Sequence, residues 1–361
     1  MTVKSTPDWN RVLKATKFEE ADRLPLCEAI IAYEIQSQFL GRPVGPDDLA
    51  SQVEFWSTAG YDYIPLNIGM MEPGKVTENS HISKILRKAL VEKGDTEEKE
   101  DDESWNLEVS SFIHSWEDFE KFPWDEVGAL DFSRLEKVAP LLPEGMKTIG
   151  VSGKIFTLTW MLMGFNHFAM SLIRDPKLVS AVFEQVAKIQ YSALDKVLQM
   201  PHVGAVWVVD DMAYNSGPII SVKHLEQHVF PWYKEMARRC HETGRLFFLH
   251  SDGKLDALLP SLINMGLDVI HPIDPTCNDI VEIKKMVEGR LTLVGNVSNE
   301  LLRTGTPDEV REYTRMLIKK VAPGGGFMLG SGNSVPDWAQ FANYQAMRTT
   351  VLEEAAYPIK G

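Results

Sequence analysis

The sequence predicts a single (β/α)8 TIM barrel, and three observations predict it. Eight short apolar runs are each bounded by polar residues or glycine, helical stretches separate almost all of them, and the 361-residue length is somewhat above the ~250 residues typical of such a barrel. The runs lie near 24–30, 61–68, 147–152, 205–211, 246–252, 268–274, 291–297 and 326–332. The clearest is Leu246-Phe-Phe-Leu249, which runs straight into His250-Ser-Asp-Gly253. An unbroken apolar run that stops at polar groups and a glycine is how a strand buried on both faces ends. A doubly wound open sheet competes with this reading, but no Gly-x-Gly-x-x-Gly follows the first run, as a dinucleotide-binding sheet requires.

Taken in order, residues 8–20 read as a short amphipathic helix with Val12, Leu13 and Phe18 on its apolar side. The first strand is Leu24–Ile30, with Glu28 near its carboxyl end, and the second ends at Asn67 after helices around 33–40 and 47–59. Residues 70–145 interrupt the rhythm as a hairpin-like excursion within one domain of residues 1–361. Lys84–Val91 and Trp105–Ile113 read as its arms, and the charge run Asp95–Glu103 as a solvated tip. Ser115, with Asp118 three residues on, reads as the N-cap of a helical turn. The rhythm then resumes: a strand ends at Ser152-Gly153, a Met/Phe-rich helical stretch covers Thr157–Leu172, and Asp175-Pro176 opens a long helix to Met200. Helices at 222–243, 254–265, 279–288, 307–321 and 337–354 alternate with the remaining strands.

The net charge of −14 excludes a phosphate-backbone partner, because nucleic-acid binders draw affinity from a Lys and Arg surplus. No apolar run approaches the ~20 residues of a membrane span, and the start lacks the apolar core of a secretory signal. Three cysteines, Cys27, Cys240 and Cys277, without CxxC spacing fit reduced thiols and a cytoplasmic location.

In a barrel the chemistry sits at the carboxyl ends of the strands. That rule collects Glu28, Asn67, Ser152, Asp210, Asp211, His250, Asp252, His271, Asp274, Asn296, Ser331 and Asn333 at one mouth. His250 and Asp252, two residues apart in an extended segment, point to the same side. They form half a metal site, an acid/base pair, or a histidine oriented by a structural aspartate. One of Asp210 and Asp211 faces the mouth while the other caps nearby backbone. His271 reads as a packed, hydrogen-bonded core histidine, with a ligand as the alternative. The mouth is rich in carboxylates and poor in cations, which favours a neutral or weakly charged substrate. Lys154 is the nearby exception and reads equally well as a surface residue. Trp160, Met161, Met163, Phe165 and Phe168 read as ordinary core at helical spacing, with an aromatic pocket as the alternative.

Several segments together resemble the uroporphyrinogen decarboxylase superfamily. They are Arg11-Val-Leu with Phe18-Glu-Glu-Ala-Asp-Arg-Leu-Pro25, Trp116–Trp124, Asp210-Asp-Met-Ala with Gly217-Pro, His250-Ser-Asp-Gly253 with Met265-Gly-Leu-Asp268, Leu293-Val-Gly-Asn296 and Gly324–Gly332. The resemblance covers nearly the whole chain and implies one barrel with an excursion. The decarboxylases of that superfamily carry an early Arg-rich segment for porphyrinogen carboxylates, and nothing like it follows Pro25. The other branch comprises corrinoid-dependent methyltransferases. Those that use coenzyme M hold zinc with a His-x-Cys pair and a later Cys. This chain keeps the histidine as His250 and has Asp252 and Ser331 where the cysteines stand.

An oxygen-rich site is harder and more Lewis-acidic than a thiolate site, and suits an ether oxygen better than a thiol. The resemblance therefore implies the substrate-side methyltransferase of an anaerobic O-demethylase. It would take a methyl group from a small aromatic methyl ether to cob(I)alamin, the cobalamin being carried by a partner corrinoid protein. His250 and Asp252 are expected as zinc ligands or as the acid pair, with Glu28 completing the metal set. Asp211 joins them as a catalytic group. Substrate contacts are expected from Glu28, Asn67, Trp160, Tyr214, Asn296 and Ser331. Two alternatives stay open: a metal-free decarboxylase or lyase with Asp211 as its acid, and the methyltransferase that passes the methyl group from the corrinoid to an acceptor.

Overall fold

The computed structural model describes residues 6–68, 112–128, 130–287 and 289–359. At its centre seven parallel strands hydrogen-bond in chain order: β1 (Tyr63–Asn67), β2 (Lys147–Ser152), β3 (Val203–Val209), β6 (Leu246–His250), β7 (Val269–His271), β8 (Thr292–Val297) and β9 (Phe327–Ser331). A two-stranded antiparallel hairpin, β4 (Ala213–Tyr214) and β5 (Gly217–Pro218), follows β3. The sheet is an α/β sheet that curls toward a barrel. Both faces are buried, so alternation along each strand separates two cores rather than core from solvent. Tyr63, Ile149, Val151, Ala205, Trp207, Val209, Phe248, Val269, Val294 and Met328 pack inside the curl, with Val12 of the helix Asn10–Thr16 and Trp9 just before it. Their neighbours Ile64, Leu66, Val206, Val208, Phe247, Leu249, Ile270, Leu293 and Leu329 pack outward against the helices.

The first of the eight runs differs from expectation. Residues 24–30 form no continuous strand; they lie beside β9 through an isolated parallel bridge, Leu26 to Leu329. Pro25 accepts from the Leu329 amide and the Cys27 amide donates to the Leu329 carbonyl, but proline has no N–H with which to extend the ladder. On the other side, toward β1, the Tyr63 hydroxyl takes the place of a strand. It accepts from the Glu28 amide at 2.9 Å and donates to the Glu28 carbonyl at 2.8 Å.

Of the excursion, the charge run and nearly all of both arms lie outside the described residues. Phe112 and Ile113 are described and donate their amides to the Leu162 carbonyl. Short helices follow at Trp116–Lys121, Trp124–Val127 and Ser133–Val138. Ser115 caps the first of these by accepting from the Asp118 amide, and Asp175 caps Pro176–Leu198 by accepting from the Leu178 amide; both caps stand where the spacing predicts them.

At the opposite end from the strand carboxyl termini, Asp62 is fully buried. It accepts from Arg11 at 2.7 Å, the Asp8 amide at 2.9 Å and Arg23 at 3.4 Å. Among the described residues no single helix is long and apolar enough to cross a membrane.

Candidate functional site

Strand register brings the site together. His250 ends β6, level with Val209 of β3 and His271 of β7. Phe248 and Val269 face the inside of the curl, so His250 and His271, two residues further on, face it too. Their Nδ1 atoms lie 2.8 Å apart, a distance that requires a proton on one of them. Burial pushes the His271 imidazole well below its ordinary range, the neighbouring His250 adds to this, and the Asn333 backbone opposes it. His271 is therefore neutral.

The same alternation decides between the paired aspartates. Ala205, Trp207 and Val209 point inward, so Asp211 does as well. Asp210 points outward, is fully buried, and accepts from the Phe156 amide at 2.8 Å, the Thr157 amide at 2.7 Å and the Tyr233 hydroxyl. It caps the helix Ile155–Met163, where a carboxylate meets the positive end of the helix dipole.

Asp252 completes the group. Its amide donates to Asp211 Oδ1 at 3.0 Å, and Asn333 Nδ2 donates to both of its carboxylate oxygens, at 2.9 and 2.8 Å. Burial pushes the Asp252 carboxyl up; His250 and Asn333 pull it down, and Asp211 pushes with the burial. The ligand atoms of Asp211, His250 and Asp252 all lie within 4.8 Å of one another. His250 Nε2 is 3.5 Å from Asp211 Oδ1 and 3.6 Å from Asp252 Oδ1. Both separations are too long for a good hydrogen bond. They match the edge of a tetrahedron around zinc, which is about 3.3–3.6 Å for ligands at ~2.0–2.2 Å. One nitrogen and two carboxylates thus fit a hard or borderline divalent cation, with room left for a further ligand.

Loop geometry holds this end closed. Gly253 has φ of +90°, and a Cβ there would sit 2.4 Å from the Ala213 carbonyl oxygen. Only glycine lets the β4–β5 hairpin approach the His250–Gly253 turn so closely. The hairpin leaves Tyr214 exposed at the rim.

Other residues expected at the mouth have different surroundings. Glu28 is fully buried and accepts from the Ser331 amide at 2.6 Å and the Ser331 hydroxyl at 2.7 Å; it is not among the groups that converge on His250. Burial pushes its carboxyl up to about 8, against the pull of Ser331. Asn296 donates to the Ile273 carbonyl at 2.6 Å and accepts from Tyr313 at 2.8 Å. With Tyr313, Cys277 and Lys320 it lines a separate flank cavity of about 540 Å³. Asn67 ends β1 two residues beyond Pro65 and is half-buried. Trp160 is half-buried, edge-on to Phe165 at 5.8 Å, while Met163 and Phe168 are fully buried in the outer core.

Three residues at the site were not in the expected catalytic, substrate or metal sets. His271 read as core, Asn333 was only one of many polar strand ends, and Lys154 read as exposed as readily as not. In the structure Lys154 is half-buried; burial pulls its ammonium below the ordinary range, and the negative charges of Asp211 and Asp210 oppose that.

A family model for uroporphyrinogen decarboxylase (URO-D) matches residues 109–353. The structure is similar to that of a methyltransferase from Methanosarcina mazei, with a TM-score of 0.61 and 16% identity over 97% of this chain and 98% of that one. At that identity the likeness shows the fold. Fainter similarity reaches an octameric ribulose-1,5-bisphosphate carboxylase/oxygenase from Pyrococcus horikoshii OT3 (TM-score 0.30, 15% identity, 87% of this chain and 64% of that one). It also reaches the 7,8-dihydropteroate synthase of Vibrio fischeri ES114 (TM-score 0.29, 11% identity, 84% and 87%). No curated protein matches the sequence. With a matched region that runs from before the helix Trp116–Lys121 into the last helix and takes in β2 through β9, the chain belongs to the uroporphyrinogen decarboxylase family.

Proposed function

We propose that this protein is a methyltransferase that moves a methyl group from a methoxylated aromatic to cob(I)alamin on a partner corrinoid protein. The observation that carries the reading is the convergence of Asp211, His250 and Asp252 at the strand ends, at separations suited to a shared cation. The whole-length likeness to a methyltransferase supports it.

Cob(I)alamin is a strong nucleophile, whereas a phenolate is a poor leaving group. The chain must therefore stabilise charge on the departing oxygen, and one well-placed group there is typically worth ~10²–10⁴ in rate. Asp211, His250 and Asp252 would hold zinc for this, and zinc when bound supplies Lewis acidity toward an ether oxygen. Asn333 fixes the Asp252 carboxylate, and the Asp252 amide fixes Asp211. Tyr214 and Trp160 offer apolar ring faces to an aromatic substrate. In this reading the enzyme is cytoplasmic: Cys27, Cys240 and Cys277 are all free thiols. The net charge of −14 suits a corrinoid protein with a basic docking face.

The test is an anaerobic spectrum of cob(I)alamin mixed with the purified protein and a panel of methoxylated phenols, with metal analysis of the same sample. Conversion to methylcobalamin with one of them establishes the reading and names the substrate class. No conversion with any ether, methylamine or methanol, together with CO2 release from a carboxylated substrate, assigns the decarboxylase chemistry instead.

A further inference from the structure

The inner face of the curl is graded along its strands. In the middle layer Tyr63, Ile149, Trp207, Phe248 and Met328 are wholly buried. Two residues further on, toward the strand carboxyl ends, the same face is open. Val151, Val209 and His250 are 9%, 8% and 8% exposed there, and Ala29, on the segment beside β9, is 7% exposed. On β1 the opening goes one step deeper. Tyr63 faces inward, so Pro65 and Asn67 do as well. Both are half-buried, whereas the outward-facing Ile64 and Leu66 are shut away in the other core. Surface that is open on the inward face and closed on the outward face opens into the mouth.

Side-chain size follows the same grading. Tyr63, Trp207, Phe248 and Met328 fill the middle layer, as bulky side chains fill the interior of a barrel. The open positions carry Ala29, Pro65, Val151 and Val209, all apolar and all small. Register lines them up with the polar groups. Val209 lies level with His250, and Val151 is paired with Asn67. An apolar strip therefore crosses β3 and β2 to β1, and the Asp211–His250–Asp252 group stands at its β6 end. A concave apolar wall beside a few convergent polar groups is the usual make-up of a small-molecule site, and covering such a wall with an apolar group is favourable.

We infer that Ala29, Pro65, Val151 and Val209 wall a subsite for the ring of the substrate, with the reacting group held at the Asp211–His250–Asp252 end. For the reaction proposed above, on which this inference rests for its substrate, the ring is a single six-membered one rather than a fused pair. Val151, at the middle of the strip, sets that limit.

The experiment is isothermal titration calorimetry on the full chain, with the positional isomers of methoxyphenol and with methoxynaphthol as the larger probe. Val151→Phe is expected to weaken binding of the best methoxyphenol by about 10-fold or more, and Val151→Ala to improve methoxynaphthol relative to methoxyphenol by about 10-fold. Neither should change the affinity for added zinc, because Val151 lies two strands away from His250. The extra bulk of Val151→Phe enters open space, so its urea midpoint should stay within about 0.3 M of wild type. The same change at Val208, which packs in the outer core, overfills a closed site and should lower the midpoint further. Val151→Phe that unfolds, or that falls as far as Val208→Phe, marks a packed position and overturns the proposal. So does a folded Val151→Phe that binds methoxyphenol as wild type does, a Val151→Ala with unchanged ring preference, or a wild type that binds none of the ethers. Because calorimetry needs no corrinoid, the two readings fail separately. Val151-dependent binding without methylcobalamin formation leaves the ring subsite standing and removes the methyltransferase. Methyl transfer from aryl ethers that is indifferent to Val151→Phe does the reverse.

Discussion

His250 and His271 meet through their Nδ1 atoms at 2.8 Å because β6 and β7 place them side by side in register. Only one of those nitrogens can carry the proton. If His250 donates it, the lone pair of His250 Nε2 is free to face Asp211 and Asp252. His271 then plays the orienting part usually taken by a carboxylate or a carbonyl behind a metal-binding histidine. The long separations from Nε2 to the two carboxylates, 3.5 and 3.6 Å, agree with that tautomer, since an N–H there would draw one of them into hydrogen-bond range.

For the zinc site proposed above, replacing His271 with leucine is therefore expected to weaken binding of the metal by about 10–100-fold while the fold persists. Glutamine keeps an acceptor for the His250 proton and should recover part of the loss. Competition against a fluorescent chelator measures both. Equal affinity in wild type and His271→Leu would show that His250 does not depend on this partner.

The adjacent aspartates should separate cleanly. Asp210 holds two amides and a hydroxyl in a fully buried place, so Asp210→Ala leaves three donors without an acceptor. A loss of about 3 kcal/mol in urea unfolding is expected. Asp211 is half-exposed, and Asp211→Ala should change stability by less than about 1 kcal/mol while removing the zinc binding proposed for this site. The reverse pattern, a stable Asp210→Ala and a collapsed Asp211→Ala, would contradict the assignment of faces.

That contrast also marks how far the sequence was legible. Seven of the eight runs were readable because strands buried on both faces are continuous apolar stretches. Continuity erases the polar alternation that tells one face from the other. Val203–Val209 is buried at every position, so nothing in it reveals whether Asp210 or Asp211 points inward. His250 and Asp252 were readable as a pair from their two-residue spacing alone. Glu28 was placed by assuming a regular strand, and Pro25 interrupts it. Lys154 and Asn333 depend on a left-handed residue and on a loop closing over β6, which no local pattern announces.

At the other end of the curled sheet, Asp62 is the common acceptor for Arg11, Arg23 and the Asp8 amide. Removing it leaves two guanidinium groups facing each other in a poorly hydrated space. Asp62→Ala should cost about 3–5 kcal/mol. Asp22 also pairs with Arg11, at 2.6 Å, but its side chain is 62% exposed, so Asp22→Ala should cost no more than about 1 kcal/mol. Urea unfolding of the two variants side by side checks the order, and a costlier Asp22→Ala would refute it.

Glu28 gives stability a pH dependence of definite sign. Its carboxyl titrates near 4.5 when the chain is unfolded and at about 8 when folded, because burial outweighs the two hydrogen bonds from Ser331. Below the unfolded value both states hold the proton and the contribution is complete. Between the two values the folded protein keeps a proton that the unfolded chain has released, so stability falls as pH rises, by at most about 5 kcal/mol, and levels off above the folded value. Glu28→Gln removes the titration. Its carbonyl can accept from the Ser331 amide and its amide can donate to the Ser331 hydroxyl, so the local bonds survive. The difference in unfolding free energy between Glu28→Gln and wild type should therefore grow in favour of the variant from pH 5 to pH 8, as read from urea titrations at each pH. A difference that stays constant across that range would mean that Glu28 is ionised in the folded protein, with a partner for its charge beyond Ser331.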